Sequence, residues 1–129
     1  VACRSIVRKV ESAFPADVVD LQVDEHGSGA RVVTVTGEVD TLTAPEVAAC
    51  LTAQLADVQV LVVDLDGVRF LASAGLNMLV EANELATQDG RDLRLVCNSW
   101  IANRALEMTG LRKHLTFADT VPEALTNLV

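Results

Sequence analysis

The run Val60-Leu61-Val62-Val63-Asp64-Leu65 constrains the fold of this 129-residue chain more than any other segment. It is apolar at every position but one, so as a strand it presents apolar side chains to both faces. Such a strand is buried, the usual setting of a parallel strand in an α/β protein. The remaining residues suit that class. Half of them are apolar, yet there are only one Trp, three Phe and no Tyr, so Val, Leu and Ala must build the core. A chain of this length fits one domain that can bury a core without disulfide or metal staples.

The flanking segments alternate in period. Residues Val18–Asp24 and Arg31–Val39 read as two strands joined by a turn at Glu25–Gly29, a β-hairpin. Thr43, Pro45 and Glu46 have the spacing of a capping box, and Val47, Cys50, Leu51 and Leu55 form an apolar stripe behind it. This predicts a helix over Thr43–Asp57. A connector, Asp66–Leu71, follows the apolar run, and a second helix is expected over Ser73–Gln88, with Ser73 as its N-cap and Gly90 closing it. Its apolar arc is wider than a half-buried helix needs. Asp92–Cys97 reads as a strand, and Ser99 caps a third helix through Met108, which Gly110 stops. Leu115–Ala118 is a short strand, and Thr120 with Glu123 starts a last helix carrying Leu125, Leu128 and Val129. The expected order is β-β-α-β-α-β-α-β-α, a mainly parallel sheet of about five strands with about four helices. Residues 1–14 carry Ile6, Val7, Val10, Ala13 and Phe14 at helical spacing up to Pro15. They read as an amphipathic helix packed on the body as an arm, or alternatively as a homodimer contact.

Charge narrows the choice of partners. The chain has 18 acidic and 10 basic residues, a net charge of −8. That sign repels phosphate backbones and anionic lipid, which argues against nucleic acid and membrane surfaces. No stretch reaches the ~18 apolar residues of a membrane span, and the first ten residues hold no signal-peptide core, so a cytoplasmic setting is expected. Cys3, Cys50 and Cys97 form no C-x-x-C pair and lack zinc spacing. Cys50 and Cys97 read as buried, reduced hydrophobes.

The sequence offers little for catalysis, and neither a catalytic residue, a metal site nor a cofactor is expected. His26 lies in a turn and His114 precedes a short strand. Leu71-Ala72-Ser73-Ala74-Gly75 is not G-x-S-x-G, and both glycine-rich phosphate motifs are missing. A receiver-like phospho-acceptor reading would use Asp64 or Asp66 at the end of the apolar strand, with Asp24 and Glu25 as an acidic pair. The opening hairpin and the lack of a late-strand lysine, the chain having only Lys9 and Lys113, speak against it.

The string Asp64-Leu65-Asp66-Gly67-Val68-Arg69-Phe70-Leu71-Ala72-Ser73-Ala74-Gly75-Leu76 resembles the signature of the STAS family, the bacterial anti-sigma-factor antagonists. That signature is an apolar strand, a Phe, then D-S-[ST]-G-L opening a helix. Gly37-Glu38-Val39-Asp40 resembles the family's second mark, G-E-apolar-D at the end of the hairpin. The resemblance spans about residues 18–129 and leaves residues 1–17 as an N-terminal extension.

The resemblance implies a single α/β STAS-like domain that binds an anti-sigma factor, which can itself be a serine kinase, and thereby releases a sigma factor. Ser73 matches the serine that partner kinases phosphorylate, and Asp40 the acidic residue near it. The sequence departs from the mark at Ala72, where the family has Asp, and at Ala74, where it has Ser or Thr. A kinase-independent STAS scaffold in a signalling assembly is the alternative. The expected partner-binding residues are Asp40, Arg69, Leu71, Ala72, Ala74, Gly75, Leu76 and Met78.

Overall fold

The computed structural model describes residues 5–11, 18–27 and 29–126. In chain order the elements are β1 (Ser5–Glu11), β2 (Val18–His26), β3 (Ala30–Val39), α1 (Ala44–Leu55), β4 (Val60–Leu71), α2 (Ser73–Gln88), β5 (Asp92–Val96), α3 (Trp100–Met108), a 3₁₀ turn (Leu111–His114), β6 (Phe117–Ala118) and α4 (Val121–Ala124). The six strands form one sheet in the order β1-β2-β3-β4-β5-β6. β1, β2 and β3 pair antiparallel, and β3, β4, β5 and β6 pair parallel. The hairpin and the parallel body are thus present as expected.

The apolar run occupies the middle of this sheet, and its side chains divide between two cores. Leu61, Val63 and Leu65 join Val19, Leu21, Val33, Val35, Leu93 and Leu95 on one face. There α1 contributes Val47, Cys50, Leu51 and Leu55, α2 contributes Leu76, Leu79 and Ala82, and α3 contributes Ala102 and Leu106. Val60 and Val62 point the other way, into a smaller cluster with Ala30, Val32, Val96 and Ala124 of α4. Arg94 fastens α4 to this face. Its Nη1 donates to the carbonyls of Ala124 at 2.6 Å and Thr126 at 2.9 Å, placing a cation where the helix ends negative.

Three sequence expectations need correction. Residues 5–11 form a strand, not a helix, and pair with β2 from Ser5↔Asp24 to Glu11↔Val18. An open edge of β2 offers a row of unpaired backbone groups, and β-branched Ile6, Val7 and Val10 suit a strand there. The helical reading of Ala13 and Phe14 lies outside the described residues. Second, the connector Asp66–Leu71 continues β4. The register with β3 shifts between Thr34 and Thr36 and again between Gly37 and Glu38, so β4 absorbs extra residues as bulges. Gly67 permits this, because a Cβ there would lie 3.1 Å from Thr36 Oγ1. Third, α4 ends at Ala124, before Leu125, and residues 127–129 lie outside the described residues.

The other helix boundaries follow local chemistry. Ser99 Oγ accepts from Ala102 N at the start of α3, and Thr120 Oγ1 accepts from Glu123 N at the start of α4. Gly90 takes the left-handed conformation (φ 69°) after α2.

Cys50 and Cys97 are buried, and both keep their thiols rather than forming a disulfide. Burial is the main cause that pushes the Cys97 thiol above its ordinary pKa, which lowers its thiolate fraction further. A thiol reagent should therefore label both residues far more slowly in the folded protein than in denaturant. Fast native-state labelling of either, read by mass spectrometry, contradicts this packing.

Candidate functional site

The site is built where β3 ends and α2 begins. After Val39 the chain makes a tight turn held by Asp40, whose Oδ1 accepts from the backbone N–H of Leu42 at 2.9 Å and Thr43 at 3.0 Å. Thr43 answers in the opposite direction. Its Oγ1 accepts from Asp40 N at 2.9 Å and has Glu38 O at 2.9 Å and Asp40 Oδ1 at 3.2 Å as acceptors for its proton. Thr43 is fully buried, and among the described residues it is the one buried polar side chain. The capping box expected between Thr43 and Glu46 does not form, because the Thr43 hydroxyl is committed to β3 instead. Helix α1 starts on backbone acceptors, Ala44 N donating to Asp40 O at 2.8 Å. Asp40 is thus a structural carboxylate, half-buried and locked in place.

One backbone bond joins this turn to α2: Ala72 N donates to Val39 O at 2.9 Å. It sets the chain direction so that Ala72, extended at φ −83° and ψ 172°, is the N-cap and Ser73 is the first helical residue. The expectation that Ser73 caps α2 is therefore wrong by one position. Alanine has no acceptor to offer, so the first turn of α2 has no side-chain cap bond and no acidic residue. Ser73 is exposed directly beside it. Gly75 is explained by close approach, since a Cβ there would lie 2.7 Å from Leu71 Cδ1 and 2.8 Å from Val39 Cγ1. The helix can lie this near β3 only with glycine at that position.

The expected contact residues divide into two groups. Arg69 is exposed on β4, and Asp40, Ala72 and Ala74 are half-buried. Leu71, Gly75, Leu76 and Met78 are buried; Met78 is only 4% exposed. These four are core, because α1 packs against α2 and covers the wide apolar arc that the sequence left unexplained. Thr41 and Leu42, absent from the sequence reading, belong to the surface. Leu42 is a large apolar residue left exposed in the turn, and Thr41 lines a shallow groove between α1 and α2 with Pro45, Ala48, Asn77 and Glu81. A leucine between two threonines in a short turn was the available signal.

The acidic residues of the receiver-like reading are not assembled as that chemistry needs. Glu25 on β2 pairs with Arg31 at 3.5 Å, and β3 separates β2 from β4. Asp66 accepts from Asn98 N at 2.6 Å and Asn98 Nδ2 at 3.2 Å, tying β4 to the end of β5. Asp64 accepts from Asp66 N at 2.9 Å. Its pKa is raised, first by desolvation and then by the negative charge of Asp66, against the lowering effect of that hydrogen bond. His26 and His114 are both exposed. Among the described residues no group of three His, Cys, Asp or Glu could hold a metal ion, and no helix is long and apolar enough to cross a membrane.

With the hairpin, the α2 start and Ser73 in place, comparison with known proteins is decisive. The sequence profile of the STAS domain matches residues 21–124. The chain belongs to the STAS domain family. It is similar to the anti-sigma-F factor antagonist RsfB of Mycobacterium tuberculosis, 30% identical over 113 residues that cover 87% of this chain and 91% of that protein. The crystal structure of an anti-sigma factor antagonist from Mycobacterium paratuberculosis superposes with a TM-score of 0.76 at 34% identity, over 84% of this chain and 92% of that one. The anti-sigma factor antagonist SpoIIAA in its unphosphorylated form shares the fold at 17% identity, with a TM-score of 0.69 over 81% of this chain and 92% of that one. β1 lies ahead of the segment that matches the STAS domain.

Two measurements check the geometry of the site. Thr43→Val should cost about 1–3 kcal/mol in urea unfolding, because it removes the buried hydroxyl that bonds Asp40 N and Glu38 O. Ser73→Ala should stay within about 0.5 kcal/mol of wild type, as an exposed side chain without a cap bond; equal losses for the two variants contradict the assignment. Asp64 supplies a pH signature. A carboxyl whose folded pKa is raised contributes stability fully below its unfolded pKa and loses it as pH rises through the folded value. Asp64→Asn should therefore flatten the fall in stability from the ordinary aspartate range toward neutral pH. An unchanged slope would contradict the burial of that carboxylate.

Proposed function

We propose that this STAS domain is an anti-sigma-factor antagonist that works by binding, not catalysis. It engages an anti-sigma factor through the surface around Ser73 and so releases a sigma factor in the cytoplasm. Residues 1–17 then form an extension ahead of the domain, with β1 covering the edge of its sheet. The observation that carries the reading is the placement of Ser73, exposed at the first position of a 16-residue helix whose first turn has no side-chain cap. The residue before it, Ala72, is bonded to Val39 O at the end of β3, next to the Asp40–Thr43 turn. Relatives of the chain are named as anti-sigma factor antagonists, which supports the choice of partner.

Physical chemistry makes Ser73 a workable switch. A phosphoserine carries close to two negative charges, and at a helix N-terminus these meet the positive end of the dipole. The fold tolerates that charge. A partner packed on Ala72, Ala74 and Leu42 does not, because it would bury the phosphate against apolar surface. One set of observations favours the kinase-independent scaffold instead: Ala72 and Ala74 stand where the family has Asp and Ser or Thr, so a kinase finds no polar neighbour beside Ser73.

Affinity for an anti-sigma factor, measured for wild type, Ser73→Ala and Ser73→Glu, separates the readings. Ser73→Ala should bind as wild type. Ser73→Glu should remain folded yet lose ~2–5 kcal/mol of binding, the usual cost of an unpaired charge in an interface. Identical affinities for all three proteins would eliminate the switch and leave the scaffold.

A further inference from the structure

Helix α3 leaves three large apolar side chains exposed. Its buried residues are Ala102 and Leu106. Trp100 is 72% exposed, Met108 76% and Ile101 45%. At about 100° per residue these three fall with Arg104 in one arc spanning roughly 100° of the helix surface. Ser99 Oγ donates to Val68 O at 2.8 Å, tying the start of α3 to β4 two residues before Phe70, itself exposed. The face is held firmly from behind. Asn103 Nδ2 donates to Cys97 O at 2.8 Å, and Arg112 Nη1 donates to Asn103 Oδ1 at 2.6 Å. Exposed Trp and Met on an anchored helix mark a surface made for contact.

The charges around this face differ from those of the chain as a whole. Among the described residues four arginines are committed within the fold. Arg31 pairs with Glu25 and Asp57, Arg91 donates to Val58 O, Arg94 donates to Ala124 O and Thr126 O, and Arg112 donates to Asn103. Arg69, Arg104 and Lys113 have no hydrogen bond or ion pair within the described residues, and all three are exposed. Arg104 lies over the Trp100 ring, 5.7 Å from its centre, inside the apolar arc. Arg69 precedes Phe70, and Lys113 belongs to the 3₁₀ turn that packs against α3. Glu107 is the acidic residue at the rim. In a chain of net charge −8, these three cations of the described residues lie on or beside the elements that carry an apolar face.

We propose that this face of α3 is a second docking surface, separate from Ser73, for an acidic amphipathic helix of a partner protein. The apolar stripe of that helix packs on Trp100, Ile101 and Met108, and its carboxylates meet Arg104, Arg69 and Lys113. A second copy of this chain and an anionic membrane are both disfavoured by the net charge of −8.

Trp100 is the only tryptophan in the sequence, so its emission reports this face directly. The full chain is titrated with a synthetic amphipathic helical peptide of Leu and Glu, its Leu and Lys counterpart, and a scrambled Leu and Glu control. The Leu–Glu peptide should give a saturable blue shift, and the other two should not. Arg104→Glu should weaken binding several-fold and Met108→Asp should abolish it, each with unchanged far-ultraviolet circular dichroism, since both side chains are exposed. No saturable shift, or an equal shift with the Lys peptide, overturns the proposal. A shift on raising protein concentration alone assigns the face to a second copy and also overturns it. So does a shift with phosphatidylglycerol vesicles but not with the peptide.

Discussion

Val60 and Val62 leave water on one side of β4, and Leu61, Val63 and Leu65 leave it on the other. Each fully buried aliphatic side chain contributes ~1.5–3 kcal/mol, so neither face of this strand can be turned toward solvent without a large loss. The strand must therefore lie between two layers. Three helices cover one face, and the short α4, clamped by Arg94, covers part of the other. The start of α2 follows from this arrangement. It emerges at the end of the buried strand, beside the end of β3, where Val39 O and Ala72 N meet.

The region around Ser73 combines rigidity below with simplicity above. Gly75 lets α2 approach Val39 and Leu71 more closely than any other residue would allow. Asp40 and Thr43 close the neighbouring turn through a reciprocal set of bonds. Above this base the surface is small and plain: Ala72, Ser73, Ala74 and Leu42. A charge added at Ser73 would lie above these buried bonds and leave them undisturbed. The family's polar neighbours of the serine are replaced here by methyl groups, which raises the apolar share of this surface.

The α3 face has the opposite character. It is rich in large side chains, carries uncommitted cations, and lies on a helix that starts from the far end of β5. The domain thus presents two exposed surfaces of different chemistry. The first is centred on an exposed serine, whereas the second is centred on Trp100 and Arg104.

Much of this architecture was legible along the chain. The hairpin, the buried strand, the bounds of α2, and the Ser99 and Thr120 caps follow from local periodicity and hydrogen-bonding preference, which neighbouring residues settle among themselves. The same preferences failed wherever a distant partner competed. Thr43 has the spacing of a cap, but Glu38 O on β3 claims its hydroxyl. Ser73 looks like an N-cap, but the bond from Ala72 to Val39 moves the cap back by one residue. Met78 looks like a surface residue until α1 is packed over α2. Residues 5–11 have helical spacing, yet the open edge of β2 draws them into a strand. The sequence by itself determined the class of fold and the region of the site. Which hydroxyl is buried, which residue caps α2 and which side chains stay exposed were decided only in the tertiary structure, because those outcomes depend on bonds between segments that no local pattern records.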